Sequence, residues 1–367
     1  MLNNLSSRPR LYLHLGTHKT GTTALQAFSV ANRDRLKSLG LYYPNFSPFT
    51  PGPKDGHHAL AHAFSDEPTQ LSQTQAESLI GQWHAEACET GLTVIISAEA
   101  IYRHVLGNGN FLEKRRRYLE KLNTALADFE VIPVLVFRRP DDYLRSLYQE
   151  NVAKSSPPRR MPTFADYISH PPPGIHYTSN ANVVERVFGS IRVLIYEDLL
   201  GALGESFYAA LGIDLSDCVS TQHVRPSLSS EETVIKNVIN QHLSTRDESD
   251  KLIELLRTPL IQKAVRNAYP DPPYDLWPDL TSRQTFLDSR ADDVAQLRMR
   301  YFPERACLFD EWESKTMGRP VPEPPQVLLE QIRTHLPSIL NPTDPKRILI
   351  PIYWFRSAIK KLWRTLH

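Results

Sequence analysis

Residues 11–28 read LYLHLGTHKTGTTALQAF, and this order of residues decides the fold. A short apolar run of strand length leads into a turn that holds two glycines, a lysine and three threonines around Gly21. An amphipathic helical pattern follows. A helix that begins directly after such a turn presents unsatisfied backbone N–H groups and the positive end of its dipole. The segment therefore predicts a strand, a phosphate-binding turn and a helix, in that order.

Three further apolar runs of strand length lie at residues 93–97, 131–137 and 191–196. Their β-branched and aromatic content is typical of buried parallel strands. Helical patterns separate the runs, at residues 23–39, 112–129 and 141–153. Strands that alternate with helices predict an α/β fold with a P-loop-like parallel sheet flanked by helices, whose ligand lies at the carboxyl ends of the strands.

The rest of the chain is mostly helical or rich in proline. We expect residues 1–317 to form one domain, in which residues 228–310 are largely helical. Residues 318–350 begin with a proline cluster and are expected to form a linker. In residues 351–367 apolar positions recur at helical spacing beside basic ones, which predicts a basic amphipathic C-terminal helix.

Charge and cysteine content exclude several classes of protein. The chain has 42 Lys and Arg against 41 Asp and Glu, so no overall field attracts nucleic acid. Cys88, Cys218 and Cys307 are far apart without a CxxC spacing, so we expect reduced, buried thiols rather than disulfides or zinc ligands. No HExxH motif or carboxylate cluster predicts a metal. Because neither a signal peptide nor a membrane-spanning run is apparent, we expect a cytoplasmic protein.

The turn at residues 18–23, HKTGTT, differs from a Walker A loop. In GxxxxGK[ST] the lysine directly follows the last glycine, whereas Lys19 precedes Gly21 by two residues. The turn instead resembles the 5′-phosphosulfate loop of sulfotransferases that use 3′-phosphoadenosine 5′-phosphosulfate (PAPS). The resemblance implies that Lys19 contacts the bridging oxygen and the sulfuryl group. It also implies that the 5′-phosphate is bound by Thr20, Gly21, Thr22 and Thr23.

A second anion motif follows the run at residues 131–137. Arg138 comes at the end of this run and Ser146 eight residues later, within a helical pattern. A guanidinium can bind a phosphate monoester bidentately, and a hydroxyl can donate to a remaining oxygen. The stretch RRPDDYLRSLY resembles the RNPxERxxS motif of carbohydrate sulfotransferases. The resemblance implies that Arg138 and Ser146 bind the 3′-phosphate of PAPS.

Two weaker resemblances concern the adenine end of the nucleotide. The stretch YEDL at residues 196–199 is similar to one in cytosolic and bacterial sulfotransferases, which implies that Tyr196 lies near the adenine. A tyrosine at a strand end is also commonly a packing residue. The stretch RPSLS at residues 225–229 looks like bacterial members of the family, and it implies a nucleotide contact for Arg225.

Sulfuryl transfer also needs a base that takes the proton of the acceptor. Gly56-His57-His58 lies in the proline-rich segment where some carbohydrate sulfotransferases carry a catalytic His or Glu. Glu99 follows the run at residues 93–97, where cytosolic members place a histidine. An imidazole suits proton transfer near neutral pH, so His58 is the first candidate, His57 the second and Glu99 the third.

The resemblance thus implies a bacterial, carbohydrate-sulfotransferase-like enzyme that needs no metal. It would transfer a sulfuryl group from PAPS to a saccharide, glycolipid or small molecule, releasing adenosine 3′,5′-bisphosphate. A P-loop nucleotide kinase and a catalytically inactive nucleotide-binding protein are the alternatives. The helix at residues 351–367 either lies on the inner face of the membrane or packs on protein. The oligomeric state is left open.

Overall fold

The computed structural model describes residues 8–17, 19–46, 56–66, 68, 70–215, 217–219, 227–270, 273–309 and 318–339. Its strands are β1 (Arg10–His14), β2 (Leu41–Tyr42), β3 (Thr93–Ser97), β4 (Glu130–Phe137), β5 (Arg192–Ile195), β6 (Tyr274–Asp275) and β7 (Arg319–Pro320). Its helices are α1 (Thr22–Ala31), α2 (Arg33–Ser38), α3 (His58–Ala63), α4 (Gln73–Thr90), α5 (Ala100–Arg103), α6 (Phe111–Ala125), α7 (Pro140–Lys154), α8 (Phe164–Ser169), α9 (Tyr177–Phe188), α10 (Leu203–Ala210), α11 (Ser230–Asn240), α12 (Arg246–Leu256), α13 (Pro259–Ala268), α14 (Leu280–Asp288), α15 (Ala291–Tyr301) and α16 (Gln326–Ile339).

The first five strands form one parallel sheet in the order β2-β3-β1-β4-β5, flanked by helices. The expected α/β fold with a parallel sheet is confirmed. Strand β1 is central, and its residues from Leu11 to His14 are all buried, which explains the apolar run Leu11–Leu13. Because every strand points the same way, the carboxyl ends meet at one edge of the sheet.

Two local features differ from the sequence prediction. Strand β2 has only two residues, too few to show a pattern of apolar residues in the sequence, and it pairs with the start of β3. The helix expected at residues 23–39 is divided into α1 and α2 at Asn32. The Asn32 side chain donates to Phe28 O over 2.9 Å and accepts a hydrogen bond from Val219 N over 2.8 Å. An asparagine that competes for backbone groups in this way interrupts a helix.

The chain is divided into two compact units, which differs from the single expected domain at residues 1–317. The first unit comprises Met1–Leu144, Pro171–Arg225 and Thr285–Trp312, and it contains the five-stranded sheet. The second comprises Arg145–His170, Pro226–Gln284 and Glu313–His367, with α11, α12, α13 and α16 around a separate apolar core. Part of the expected linker at residues 318–350 is instead the helix α16. This helix belongs to the second unit because Leu328, Leu329 and Ile332 are buried in its core.

Some expectations concern residues outside the described part of the chain. These are Arg225 and the amphipathic helix at residues 351–367. Among the described residues, no helix is long and apolar enough to cross a membrane. Cys88 and Cys307 are exposed and Cys218 is partly buried, so the expected burial of the thiols is wrong. Cys88 lies near the end of α4, where the helix faces solvent.

Lys236 is an unusual charge in the core of the second unit. It lies on α11 with no exposed surface, and its Nζ donates to Asn240 Oδ1 over 2.7 Å and Ser249 Oγ over 2.8 Å. Burial lowers the pKa of Lys236 to about 7, from 10.5. The unfolded chain therefore binds more protons than the folded chain between these pH values, so the stability of the second unit rises with pH across this window.

We expect Lys236→Met to remove most of this pH dependence and to stabilise the second unit at pH 7, because no buried amine then has to lose its proton. Hydrogen-exchange protection factors of α11 and α12 amides, measured between pH 7 and 9, check this. Lys263→Met on the exposed side of α13 is the matched control and should leave the wild-type pH dependence in place. An unchanged pH dependence in Lys236→Met contradicts the prediction.

Candidate functional site

Most of the predicted site residues lie at the carboxyl edge of the five-stranded sheet. The loop with Lys19 and Gly21 follows β1, Arg138 follows β4, Tyr196 follows β5 and Glu99 follows β3. Since β3, β1, β4 and β5 are successive neighbours and adjacent strands lie about 4.8 Å apart, these positions form a continuous row.

The loop after β1 has an unusual backbone. Lys19 has a φ of +69° and Gly21 a φ of +72°, both in the left-handed region. This region is strained for lysine, and such strain persists where the surrounding structure enforces it. Thr17 fixes the loop to β4, because its N and Oγ1 donate to Val136 O over 3.2 and 2.9 Å. Thr20 Oγ1 donates to Thr17 O over 2.6 Å. Left-handed residues in such a turn arrange successive N–H groups into an anion-binding concavity.

The start of α1 completes this concavity. A Cβ atom at Gly21 would lie 2.3 Å from Leu203 Cδ1 of α10 and would displace that side chain, and the left-handed φ of Gly21 also favours glycine. Thr22 is 4% exposed, and its Oγ1 has no hydrogen-bond partner among the described residues. A buried hydroxyl without a partner costs stability unless a ligand supplies one. The hydroxyl and the N-terminus of α1 together suit an anion.

Arg138 joins the second anion motif to this loop. Its Nη1 donates to Lys19 O over 3.1 Å, and its guanidinium lies 5.1 Å from the centre of the Tyr196 ring. Tyr177 Oη donates to Arg138 O over 2.7 Å and fixes the backbone there. The guanidinium therefore covers one face of the Tyr196 ring. Tyr196, which directly follows β5, thus helps to hold the Arg138 side chain in place. The structure thus brings the Lys19 backbone, the Arg138 guanidinium and the Tyr196 ring together at this edge of the sheet.

The neighbouring Arg139 has different partners. It forms ion pairs with Asp141 at 2.8 Å and Asp142 at 3.0 Å, and its backbone N donates to Glu197 Oε1 over 2.9 Å. Burial raises the pKa of Glu197, while the hydrogen bond from Arg139 N and the charge of Arg138 oppose this. The two aspartates neutralise Arg139, so its charge is not directed at the loop.

Ser146 lies on α7, about 9 Å along the helix axis from Pro140, and its side chain is buried. It belongs to the second unit, whereas Arg138 belongs to the first.

His57 is fully buried beside the end of β3. His57 N donates to Ser97 O over 2.9 Å, and Ser97 N donates to His57 Nδ1 over 3.2 Å. The Tyr43 and Trp83 rings lie 4.9 and 5.8 Å from its ring. Burial lowers the pKa of His57 to about 3, so the ring is neutral at physiological pH. These contacts hold the chain against β3 and leave the ring without exposure to solvent.

His58 and Glu99 form a pair. His58 Nε2 lies 3.3 Å from Glu99 Oε2, with side chains 27% and 16% exposed. Gln26 Nε2 on α1 donates to the same Glu99 oxygen over 3.3 Å. A Cβ at Gly56 would lie 2.5 Å from Gln26 Nε2, so the segment before His58 rests directly on α1. The first and third base candidates thus form one partly buried dyad.

Sequence reasoning did not single out His14, Gln26 or Ser97. His14 Nδ1 lies 2.9 Å from Ser97 Oγ, and burial, reinforced by the charge of His58, lowers its pKa to about 3. Gln26 Nε2 also approaches Ser97 O to 3.3 Å. A polar residue at the end of an apolar strand was the available signal, in LYLH for His14 and TVIIS for Ser97.

The chain matches no protein-family model and no curated protein. Among the described residues, no group of three or more His, Cys, Asp or Glu side chains is arranged to hold a metal ion.

His57 is buried and His58 is partly exposed, so their removal should change the free energy of unfolding by different amounts. His57→Ala should destabilise the first unit by about 2–4 kcal/mol, because it removes a buried ring and leaves Ser97 N without its acceptor. His58→Ala, the matched control, should cost less than about 1 kcal/mol, since a partly exposed ion pair contributes little. Urea denaturation of both variants checks this. Equal losses would show that His57 is not the buried anchor.

Proposed function

We propose that the chain is a PAPS-dependent sulfotransferase similar to bacterial carbohydrate sulfotransferases. The observation that carries the proposal is the 3.1 Å hydrogen bond from Arg138 Nη1 to Lys19 O. It joins two motifs, 119 residues apart, that the resemblance assigns to the two phosphate-bearing ends of one nucleotide. The P-loop-like character of the loop is supported by its left-handed residues and by the unpartnered Thr22 hydroxyl.

The charges along the sheet edge suggest an orientation for the donor. Arg138 and Tyr196, on the β4 and β5 side, would bind the 3′-phosphate and the nucleoside. The backbone and hydroxyl groups of Thr20–Thr23 would bind the 5′-phosphate at the start of α1. Lys19 would then stabilise the charge that develops on the leaving phosphate. The sulfuryl group would face the β3 side, which carries His58 and Glu99.

In the proposed reaction, an acceptor oxygen or nitrogen attacks the sulfur atom and its proton moves to the His58–Glu99 dyad. The bond between sulfur and the bridging oxygen breaks, and its electron pair remains on the phosphate of adenosine 3′,5′-bisphosphate. Glu99 faces His58 Nε2, so it orients the ring and stabilises the imidazolium that forms. His57 has no part in proton transfer, because its ring is buried.

The acceptor class rests on resemblance. The Arg138 motif is most similar to that of carbohydrate sulfotransferases, so we propose a saccharide or glycolipid first, and a small molecule second. A glycolipid acceptor would suit a cytoplasmic enzyme held peripherally at the membrane by residues 351–367.

Arg138→Ala should weaken binding of adenosine 3′,5′-bisphosphate by about 10- to 100-fold, because a charge-assisted hydrogen bond is lost. Binding of adenosine 5′-phosphate should change by less than about 3-fold, since this ligand lacks the group assigned to Arg138. Calorimetric titration with both ligands measures the difference. Arg139→Ala is the matched control, and it should affect both ligands alike because Asp141 and Asp142 neutralise Arg139. Equal losses in Arg138→Ala would place the 3′-phosphate elsewhere.

Lys19→Ala should lower kcat by about 100- to 1000-fold while the protein stays folded, as expected for a charge that acts mainly in the transition state. Transfer of radiolabelled sulfate from PAPS to a panel of saccharides and glycolipids measures this. Retention of more than about a tenth of wild-type kcat refutes the role given to Lys19. Tight binding of ATP in place of the bisphosphate would indicate a nucleotide kinase. Binding of the bisphosphate without turnover on any acceptor would indicate an inactive nucleotide-binding protein.

A further inference from the structure

Two short helices carry the two members of the dyad at their N-terminal ends. His58 is the first residue of α3, and Glu99 directly precedes α5. The two helices pack against each other. Their C-terminal ends are tied together by four buried or half-buried side chains, here named the helix clamp: His62, His104, Arg115 and Tyr118.

Helix α6 holds the C-terminal carbonyls of both short helices. Tyr118 Oη donates to Ala61 O of α3 over 2.9 Å. Arg115 Nη1 donates to Tyr102 O, and to Ile101 O over 3.4 Å, both in α5. Carbonyls in the last turn of a helix lack partners within the helix and favour a cation. Because Arg115 and Tyr118 are three residues apart on α6, one helical face fixes the ends of α3 and α5.

A histidine pair links the two short helices directly. His104 Nε2 lies 3.0 Å from His62 Nδ1, and the Tyr118 ring lies 5.3 Å from the His104 ring. Burial lowers the pKa of His62, with further lowering by Arg103 and His58, and it lowers the pKa of His104 to about 4. Both rings are therefore neutral at neutral pH, so one can donate a hydrogen bond and the other accept it.

Burial of Arg115 in the helix clamp lowers the stability of the fold. It has no exposed surface, its guanidinium lies 4.5 Å from the centre of the Tyr102 ring, and burial lowers its pKa. None of the described ion pairs includes Arg115, and its Nε and Nη2 have no hydrogen-bond partner among the described residues. A buried cation without a carboxylate destabilises a fold. Local violations of this kind are expected where they serve a functional site.

From these contacts we propose that the helix clamp positions the His58–Glu99 dyad. Because the C-terminal ends of α3 and α5 are fixed, their N-terminal ends keep the His58 imidazole beside the Glu99 carboxylate. The clamp residues are positioning residues, since none contacts the dyad atoms in the described hydrogen bonds. The geometric claim stands on the contacts alone, and its catalytic consequence rests on the proposed function.

Nuclear magnetic resonance of ring-labelled histidine tests the geometry without any turnover. Glu99→Gln gives the reference signals of His58 lacking its carboxylate. Tyr118→Phe removes a single hydroxyl, and Arg115→Lys keeps the charge but changes its reach. We expect both to shift the His58 ring signals toward those of Glu99→Gln. In the transfer assay, kcat should fall about 5-fold, as for the loss of one hydrogen bond, with unchanged bisphosphate affinity.

Tyr208→Phe is the matched control. Its hydroxyl is also buried and bonded, to Ser29 Oγ at 2.8 Å, but it lies on α10 away from the clamp. His58 signals that stay at their wild-type positions in folded Tyr118→Phe overturn the proposal, as does an equal shift in Tyr208→Phe. Should Arg115→Lys fail to fold, Tyr118→Phe decides alone. If the wild-type protein transfers no sulfuryl group, the proposed function fails while the ring signals still test the clamp.

Discussion

The hydrogen bond between the Arg138 guanidinium and the Lys19 carbonyl is the contact on which the arrangement of the site depends. A left-handed residue other than glycine costs about 1–2 kcal/mol, so the conformation of Lys19 must be enforced from outside the loop. Thr17 holds the start of the loop on β4, and close packing at Gly21 holds its end. Arg138 bonds the loop between Thr17 and Gly21. The cation proposed for the 3′-phosphate therefore also fixes the backbone of the loop proposed for the 5′-phosphate.

The same contact explains why two adjacent arginines differ. An arginine at the carboxyl edge of a sheet can either neutralise nearby carboxylates or face the edge. The first turn of α7 supplies Asp141 and Asp142, which pair with Arg139 and satisfy it. Arg138 is directed across the edge toward β1 and stacks on Tyr196. The two carboxylates at the start of α7 therefore have a guanidinium and the positive end of the helix beside them.

The sequence was sufficient to predict the central strands and the residues that follow them at the carboxyl edge of the sheet. Buried parallel strands give mostly apolar runs, and β3, β4 and β5 begin and end within one residue of the prediction. The division into two units was not predictable, because it depends on which distant segments share a core. Arg115 was missed within the charged run EKRRRYLEK, although its spacing from Tyr118, Leu119 and Leu122 places it on the apolar face of α6.

The roles of His57 and His58 show where sequence reasoning ends. Both lie in the same short motif, and both carry the same chemical group. Their difference comes from Ser97, whose backbone N and O bond His57 and whose side chain meets His14 and Gln26. Because α3 begins at the next residue, the chain changes direction there and presents His58 to Glu99 instead. The backbone N and the Nδ1 of His57 are bonded to the end of β3, and this anchoring holds the neighbouring His58 beside Glu99.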